Sequence, residues 1–197
     1  MSVTFTVTIT DDKLDSTSPT ATLADMGGPG DLSLREAVFL ANLTPGADTI
    51  VFASGPGQAF AIDAVIRLVQ SEIEITEALT IDGSTAGGQV VITGDANGDD
   101  VLVSGLTDVA ASFGGTAGAA DDLLDDNSRL FNITGVAAHT TFDSLILTGG
   151  RTTDFAAGGG AIRSFNSDVT LTNSTLSGNS TAGDLAVAAG SMPIKVT

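Results

Sequence analysis

The sequence predicts an all-β solenoid that carries one helix near its amino-terminal end. Three observations support this fold class. Short aliphatic runs recur along the chain, and most end in a polar residue and a glycine, as strands separated by turns require. A single clear segment has helical periodicity. The composition has 24 glycines, nine phenylalanines and neither tryptophan nor tyrosine, which favours regular layers of small and aliphatic side chains.

The length of the chain predicts one cooperative domain. A protein of 197 residues is long enough to bury roughly 70% of the surface that its unfolded chain exposes. We expect an N-terminal strand and helix over residues 1–53 and strand-and-turn coils over residues 54–197.

The first predicted element is a strand at Val3–Ile9. Apolar residues alternate there with threonines, which is the period-two pattern of a half-buried strand. Residues 11–30 are rich in Asp, Ser, Thr, Pro and Gly, so they predict a long surface connection.

A helix is predicted at about residues 34–42. Ser33 and Glu36 have the spacing of a capping box. Thr44-Pro45-Gly46 ends the helix, since proline cannot continue the hydrogen-bond ladder. The capping residues are expected to be Ser33, Leu34, Glu36, Ala37, Val38 and Ala41, of which the apolar members share one face.

The remainder of the chain repeats short strand-and-turn units. They are found at residues 49–52, 79–83, 90–94, 131–135, 145–149 and 175–178. Two insertions, at about 106–128 and 151–160, are expected to project as loops. A sandwich of antiparallel strands is the alternative, but obvious hairpin turns between alternating apolar runs are missing.

Charge excludes two classes of partner. The formal net charge is −17, from 24 acidic residues against seven Lys and Arg. Such a chain repels phosphate backbones and anionic lipid, so we expect neither nucleic acid nor membrane partners.

The sequence has no apolar run of the length of a membrane span, and its start lacks the pattern of a secretory signal. The chain has no cysteine, which excludes disulfides and thiolate chemistry.

The best candidate metal site is an acidic turn. Asp95, Asn97, Asp99 and Asp100 place oxygen side chains around a glycine, as a loop that folds around Ca²⁺ needs. The segment lacks the full twelve-residue loop and terminal glutamate of an EF-hand. A solvated acidic turn is the competing interpretation.

No catalytic residues are predicted. Glycosidases need two carboxyl groups at a defined separation, and lyases need a base with a cation or an arginine beside it. His139 is expected to be a surface residue. Arg151 and Arg163 are expected to be surface ion-pair partners in an acidic protein.

One segment resembles a known family. The stretch Asp31-Leu32-Ser33-Leu34-Arg35-Glu36-Ala37, with the later segments 41–42, 45–46 and 48–52, is similar to the amino-terminal signature of CSLREA-type bacterial surface proteins. Leu32 stands where the family has cysteine. The likeness extends through residues 79–83 and 171–179.

The resemblance implies a right-handed parallel β-helix of the pectate-lyase-like type, secreted or on the cell surface. A fold of this kind can serve as an enzyme, a spike or a stalk. We therefore expect a non-catalytic structural or adhesive module that caps and starts a longer β-helix. Its partners would be further coils or another copy, contacted through the C-terminal end. The alternative is a polysaccharide-binding or polysaccharide-cleaving module.

Overall fold

The computed structural model describes residues 1–96, 128–135, 138–152 and 159–181, and also the strands at 187–189 and 194–196. These residues form parallel β-sheets, one α-helix and one short 3-10 helix at Leu23–Met26. The helix α1 spans Leu34–Leu43. The mainly β class predicted from the sequence is therefore confirmed.

Most of the strands belong to three sheets, named here A, B and C. Sheet A consists, in spatial order, of β1 (Thr4–Val7), β2 (Asp48–Phe52), β5 (Leu79–Asp82), β8 (Thr140–Asp143), β12 (Val169–Thr172) and β16 (Ile194–Val196). Sheet B consists of β3 (Ala64–Arg67), β6 (Val90–Thr93), β9 (Leu145–Thr148) and β13 (Thr175–Ser177). Sheet C consists of β4 (Ile73–Ile75), β7 (Phe131–Thr134), β11 (Ile162–Phe165) and β15 (Val187–Ala189). A separate two-stranded sheet joins β10 (Arg151–Thr152) to β14 (Ser180–Thr181).

The chain visits the sheets in a fixed order. From β2 onward it passes from sheet A to B to C and back to A, and in the later circuits β10 and β14 lie between sheets B and C. Each strand pairs with the corresponding strand of the next circuit. Every pairing among the described strands is parallel. This excludes an antiparallel sandwich for the described strands, because hairpin-linked neighbours would pair antiparallel.

The core consists of columns of apolar side chains that stack strand upon strand. In sheet A, Ile50, Ile81 and Phe142 are in register and fully buried. In sheet B, Ile92 lies beside Ile66 and Leu147 in the same way. One continuous hydrophobic cluster includes residues of all three sheets and of helix α1.

The structure corrects several details of the sequence analysis. The first strand is Thr4–Val7 rather than Val3–Ile9, because Thr8 and Ile9 direct their N–H groups to the carbonyl of Leu32 instead. The predicted surface connection at 11–30 contains the 3-10 helix and buries Met26. The predicted repeats did not include β3, β4, β8, β11 or β12, and they also lacked the short strands β10, β14, β15 and β16.

The predicted loop insertions are only partly within the described residues. The insertion expected at 151–160 begins with strand β10, since Arg151 and Thr152 pair with Ser180 and Thr181. Residues 153–158, and all but the last residue of the insertion expected at 106–128, lie outside the described residues.

Candidate functional site

Helix α1 begins with a reciprocal cap. The Glu36 N–H donates to the Ser33 hydroxyl over 3.1 Å, and the Ser33 N–H donates to the Glu36 carboxylate over 2.9 Å. Both residues are fully buried, so each side chain satisfies a backbone donor that water cannot reach. The other Glu36 oxygen accepts from the N–H of Asp15, which fixes the preceding segment to the helix.

The apolar face of the helix is buried against the beginning of the sheets. Leu34, Ala37, Val38 and Ala41 are all at most 2% exposed. The helix contacts β1, β2 and β4. The apolar residues that the sequence analysis placed on one helix face therefore lie at this end of the core.

A buried ion pair fixes the helix to the chain before it and to the coil beside it. The Arg35 guanidinium donates to both carboxylate oxygens of Asp12, over 2.6 and 2.9 Å. The Asp12 side chain is 1% exposed and also accepts the N–H groups of Val69 and Gln70. Arg35 donates further to the carbonyl of Ser71. All of these polar groups are therefore paired, as burial requires.

Asn42 makes a strand-like contact with the edge of sheet C. Its side-chain amide donates to the carbonyl of Glu74 over 2.8 Å, and its side-chain oxygen accepts from the N–H of Thr76 over 2.9 Å. Strand β4 is the first strand of sheet C and pairs with β7 on its other side. The side chain of Asn42 thus forms the hydrogen bonds to the Glu74 carbonyl and the Thr76 N–H that a preceding strand of the sheet would form.

One basic and one acidic residue near the helix, Lys13 and Asp25, have shifted pKa values. Lys13 donates to Asp31 and to Asp15, and these two carboxylates raise the pKa of Lys13 above its ordinary value. Hydrogen bonds from the N–H and the hydroxyl of Thr22 lower the pKa of Asp25 at the start of the 3-10 helix. Both contacts are near the surface and hold the long connection in place.

The structure assigns Asp95 a contact that the sequence analysis did not predict. Its side chain is 1% exposed and forms an ion pair of 3.0 Å with Arg67. Asn97, Asp99 and Asp100, the other predicted Ca²⁺ ligands, lie outside the described residues. Within the described residues, no group of three or more His, Asp or Glu side chains is positioned to hold a metal ion.

The outer face of sheet C carries Arg163, one of the two arginines that were expected to form surface ion pairs. Arg163 donates to the side-chain oxygen of Asn132 over 3.1 Å and lies 5.9 Å from the ring centre of Phe165. Among the described residues, neither Arg163 nor Arg151 forms an ion pair, and the expected ion-pair role of these two arginines stays a prediction. One hydrogen bond to Asn132 and one cation–π contact with Phe165 hold the Arg163 side chain. His139 is a surface residue, 63% exposed and 3.2 Å from Asp168.

The outer face of sheet A carries an ordered column of threonines. Thr4, Thr49, Thr80, Thr141 and Thr170 are in register on five successive strands. The neighbouring column includes Asp82 and Asp143, which lie side by side. Because side chains alternate along a strand, the Thr column points away from the buried Ile50 column. The sequence signal for this surface is a threonine at the second position of β2, β5, β8 and β12 and at the first position of β1.

A shallow groove lies next to this face, where the chain passes from sheet A to sheet B. It has a volume of about 470 Å³, and its lining includes Ser84, Gln89 and Asn173. Asn173 occupies the left-handed region, with φ of 50°, and ends strand β12 there. The groove lies next to the carboxylate of Asp143, because the side-chain amide of Asn173 donates to that carboxylate over 3.3 Å.

Compared with known proteins, the chain matches no family model, no curated protein and no solved structure. The described residues include no helix that is long and apolar enough to cross a membrane.

Proposed function

We propose that this chain is a non-catalytic structural module that caps and starts a right-handed parallel β-helix of a secreted or cell-surface bacterial protein. The observation that carries the proposal is the pairing of Asn42 with the outer edge of β4. A helix that hydrogen-bonds a strand edge replaces the strand that would otherwise continue the sheet.

The need for a cap follows from the physics of parallel sheets. The first strand of each sheet has unpaired N–H and C=O groups, which can template pairing with another chain. It also has an apolar inner face that no preceding coil covers. Helix α1 covers the apolar face with Ala37 and Val38, while Arg35, Asp12 and Asn42 pair with the backbone.

The cap gives the module a direction. At its capped end, β4 meets side chains of helix α1, whereas β13, β15 and β16 are, among the described strands, the last ones of sheets B, C and A at the other end. Additional parallel strands would pair with those last strands. Further coils of a longer protein, or another copy of the chain, are the partners that this arrangement favours.

The proposal includes a bound calcium ion that stabilises the module. We infer that Asn97, Asp99 and Asp100 hold Ca²⁺ with Asp95, since these residue types supply hard oxygen ligands. The Asp95 carboxylate forms an ion pair with Arg67 in the structure, so an ion bound at Asp95 would lie close to this guanidinium. Neutralisation of clustered acids would stabilise a chain of net charge −17.

The capping proposal is tested by hydrogen exchange at the strand edge. Asn42→Ala removes both contacts with β4, so the Thr76 amide should exchange at least tenfold faster while amides in β8 keep their protection. Asn132→Ala, on the outer face of sheet C, is the matched control. Light scattering should show more self-association for Asn42→Ala than for the control, because an edge is exposed. Unchanged exchange at Thr76, or turnover of a uronic-acid polymer by the wild-type protein, would contradict the proposal.

A polysaccharide-binding module is the second candidate. One observation favours it: a regular column of hydroxyl groups on the outer face of sheet A lies next to a groove with amide and hydroxyl side chains. Sugars are bound through such hydrogen-bonding groups, placed on a rigid scaffold. The missing tryptophan and tyrosine remove the largest stacking platforms, so binding would depend on polar contacts.

A further inference from the structure

We propose that the outer face of sheet A binds an uncharged, extended glycan chain that lies across the strands, with about one sugar opposite each strand. The inference rests on the second candidate function and specifies its ligand and its surface. It concerns the Thr column, defined as Thr4, Thr49, Thr80, Thr141 and Thr170, and the carboxylates next to it.

The first step is the repeat distance. Neighbouring strands of a sheet are about 4.7–4.9 Å apart, so the Thr column presents one hydroxyl at each such interval. An extended glycan with equatorial linkages advances by a similar distance for each sugar. A ligand with a matching repeat meets several hydroxyls at once, whereas a compact ligand meets one or two.

The second step is the availability of the hydroxyls. In the part of the chain that the structure describes, no hydrogen bond from another residue occupies the hydroxyl of Thr80, Thr141 or the other members of the column. All of them are at least partly exposed. Because β-branched residues have few rotamers, little side-chain entropy is lost when they bind.

The third step concerns the neighbouring acceptors. Asp82 and Asp143 use one carboxylate oxygen each for local contacts, with the Ser84 N–H and the Ser144 hydroxyl over 2.8 Å. Their second oxygens are free to accept from vicinal hydroxyls of a sugar. Such charge-assisted hydrogen bonds are roughly twice as strong as neutral ones. The Asn173 amide donates to the same Asp143 oxygen over 3.3 Å, and Gln89 in the groove adds a further amide group.

The fourth step is charge selectivity. Asp82 and Asp143 lie in register on adjacent strands in the middle of the face, and the groove lining includes no Lys or Arg. Lys195 follows Thr170 in register, at the far end of the column. A polymer of uronic acids would place its carboxylates opposite two acids, which costs binding free energy. An uncharged glycan avoids this repulsion.

The experiment measures binding of the full chain to soluble oligosaccharides by calorimetry. Cellohexaose and chitohexaose are the uncharged probes, and an oligogalacturonate of the same length is the acidic probe. The double variant Thr80→Val/Thr141→Val removes two hydroxyls but keeps shape and strand propensity, so folding is preserved and is checked by the melting temperature. Thr134→Val, on the outer face of sheet C, is the matched control.

We expect an uncharged probe to bind the wild-type protein and Thr134→Val alike, and to bind the double variant about tenfold or more weakly. Asp82→Asn/Asp143→Asn should raise the affinity for the oligogalacturonate. Stronger binding of the acidic probe to the wild-type protein, or equal affinity of Thr134→Val and the double variant, would overturn the inference while polysaccharide binding survives. No binding of any probe would overturn both and leave the capping proposal intact.

Discussion

The rings of Phe131 and Phe142 are in contact at the centre of the molecule, with centroids 4.8 Å apart and planes tilted by 50°. Phe131 belongs to sheet C and Phe142 to sheet A, so the inner faces of these two sheets meet at this pair. Both side chains are fully buried. Tilted rings at this distance add an attractive quadrupole contact to the burial of apolar surface.

The first prediction is that Phe142→Ala lowers the free energy of unfolding by about 3–5 kcal/mol. The substitution removes the ring contact and leaves a cavity between two sheets. Denaturation in urea measures the loss. Phe165→Ala is the control, since Phe165 is 52% exposed and should change stability by about 0.5 kcal/mol or less. Similar losses in the two variants would show that the Phe131–Phe142 contact is unimportant.

The second prediction concerns the ion pair of Arg35 and Asp12. Asp12→Asn leaves the buried guanidinium without its carboxylate, so the free energy of unfolding should fall by about 3 kcal/mol or more. Arg35→Lys should also destabilise the protein, because an ammonium group cannot reproduce the two parallel hydrogen bonds.

The control for this pair is a surface contact of the same charge type. Lys13→Gln breaks ion pairs with Asp15 and Asp31, whose side chains are 40% and 51% exposed, so it should cost less than about 1 kcal/mol. Urea denaturation of the three variants gives the comparison. If Asp12→Asn costs no more than Lys13→Gln, the buried pair does not anchor helix α1.

The third prediction is a pH dependence at the 3-10 helix. The pKa of Asp25 is lowered by hydrogen bonds from Thr22. The stabilisation is therefore present above the pKa of an ordinary aspartate and is lost as the pH falls through the lower, folded-state pKa. An NMR titration should show the Asp25 carboxyl carbon and the Thr22 amide shifting together below pH of about 4. A titration of Asp25 at the value of a model peptide would contradict this.

The fourth prediction is that calcium raises the melting temperature. A ligand that binds only the folded state stabilises it by an amount that grows with the logarithm of the ligand concentration once this exceeds Kd. Melting should therefore occur at a higher temperature in excess CaCl₂ than in chelator, and Asp99→Asn/Asp100→Asn should reduce the difference. Excess MgCl₂ controls for general screening of negative charge. Identical melting curves in calcium and chelator would remove the proposed site.

The helix was predictable because its signals lie within a few residues of one another. Ser33 and Glu36 are three positions apart, and their two hydrogen bonds form wherever that segment turns into a helix. Repeated aliphatic runs likewise predicted the mainly β class. Strand β4 was missed because its three residues, Ile73–Ile75, are too few for a period to show.

The sequence by itself determined the class of the fold and the position of helix α1, since these depend on local alternation and capping. The tertiary structure alone decided the partners of the charged residues. Asp12 lies 57 positions from Val69, and Asp95 lies 28 positions from Arg67. Charged groups need a partner where they are buried. Which of them are buried depends on how successive circuits of the chain stack on one another, and no short segment encodes this.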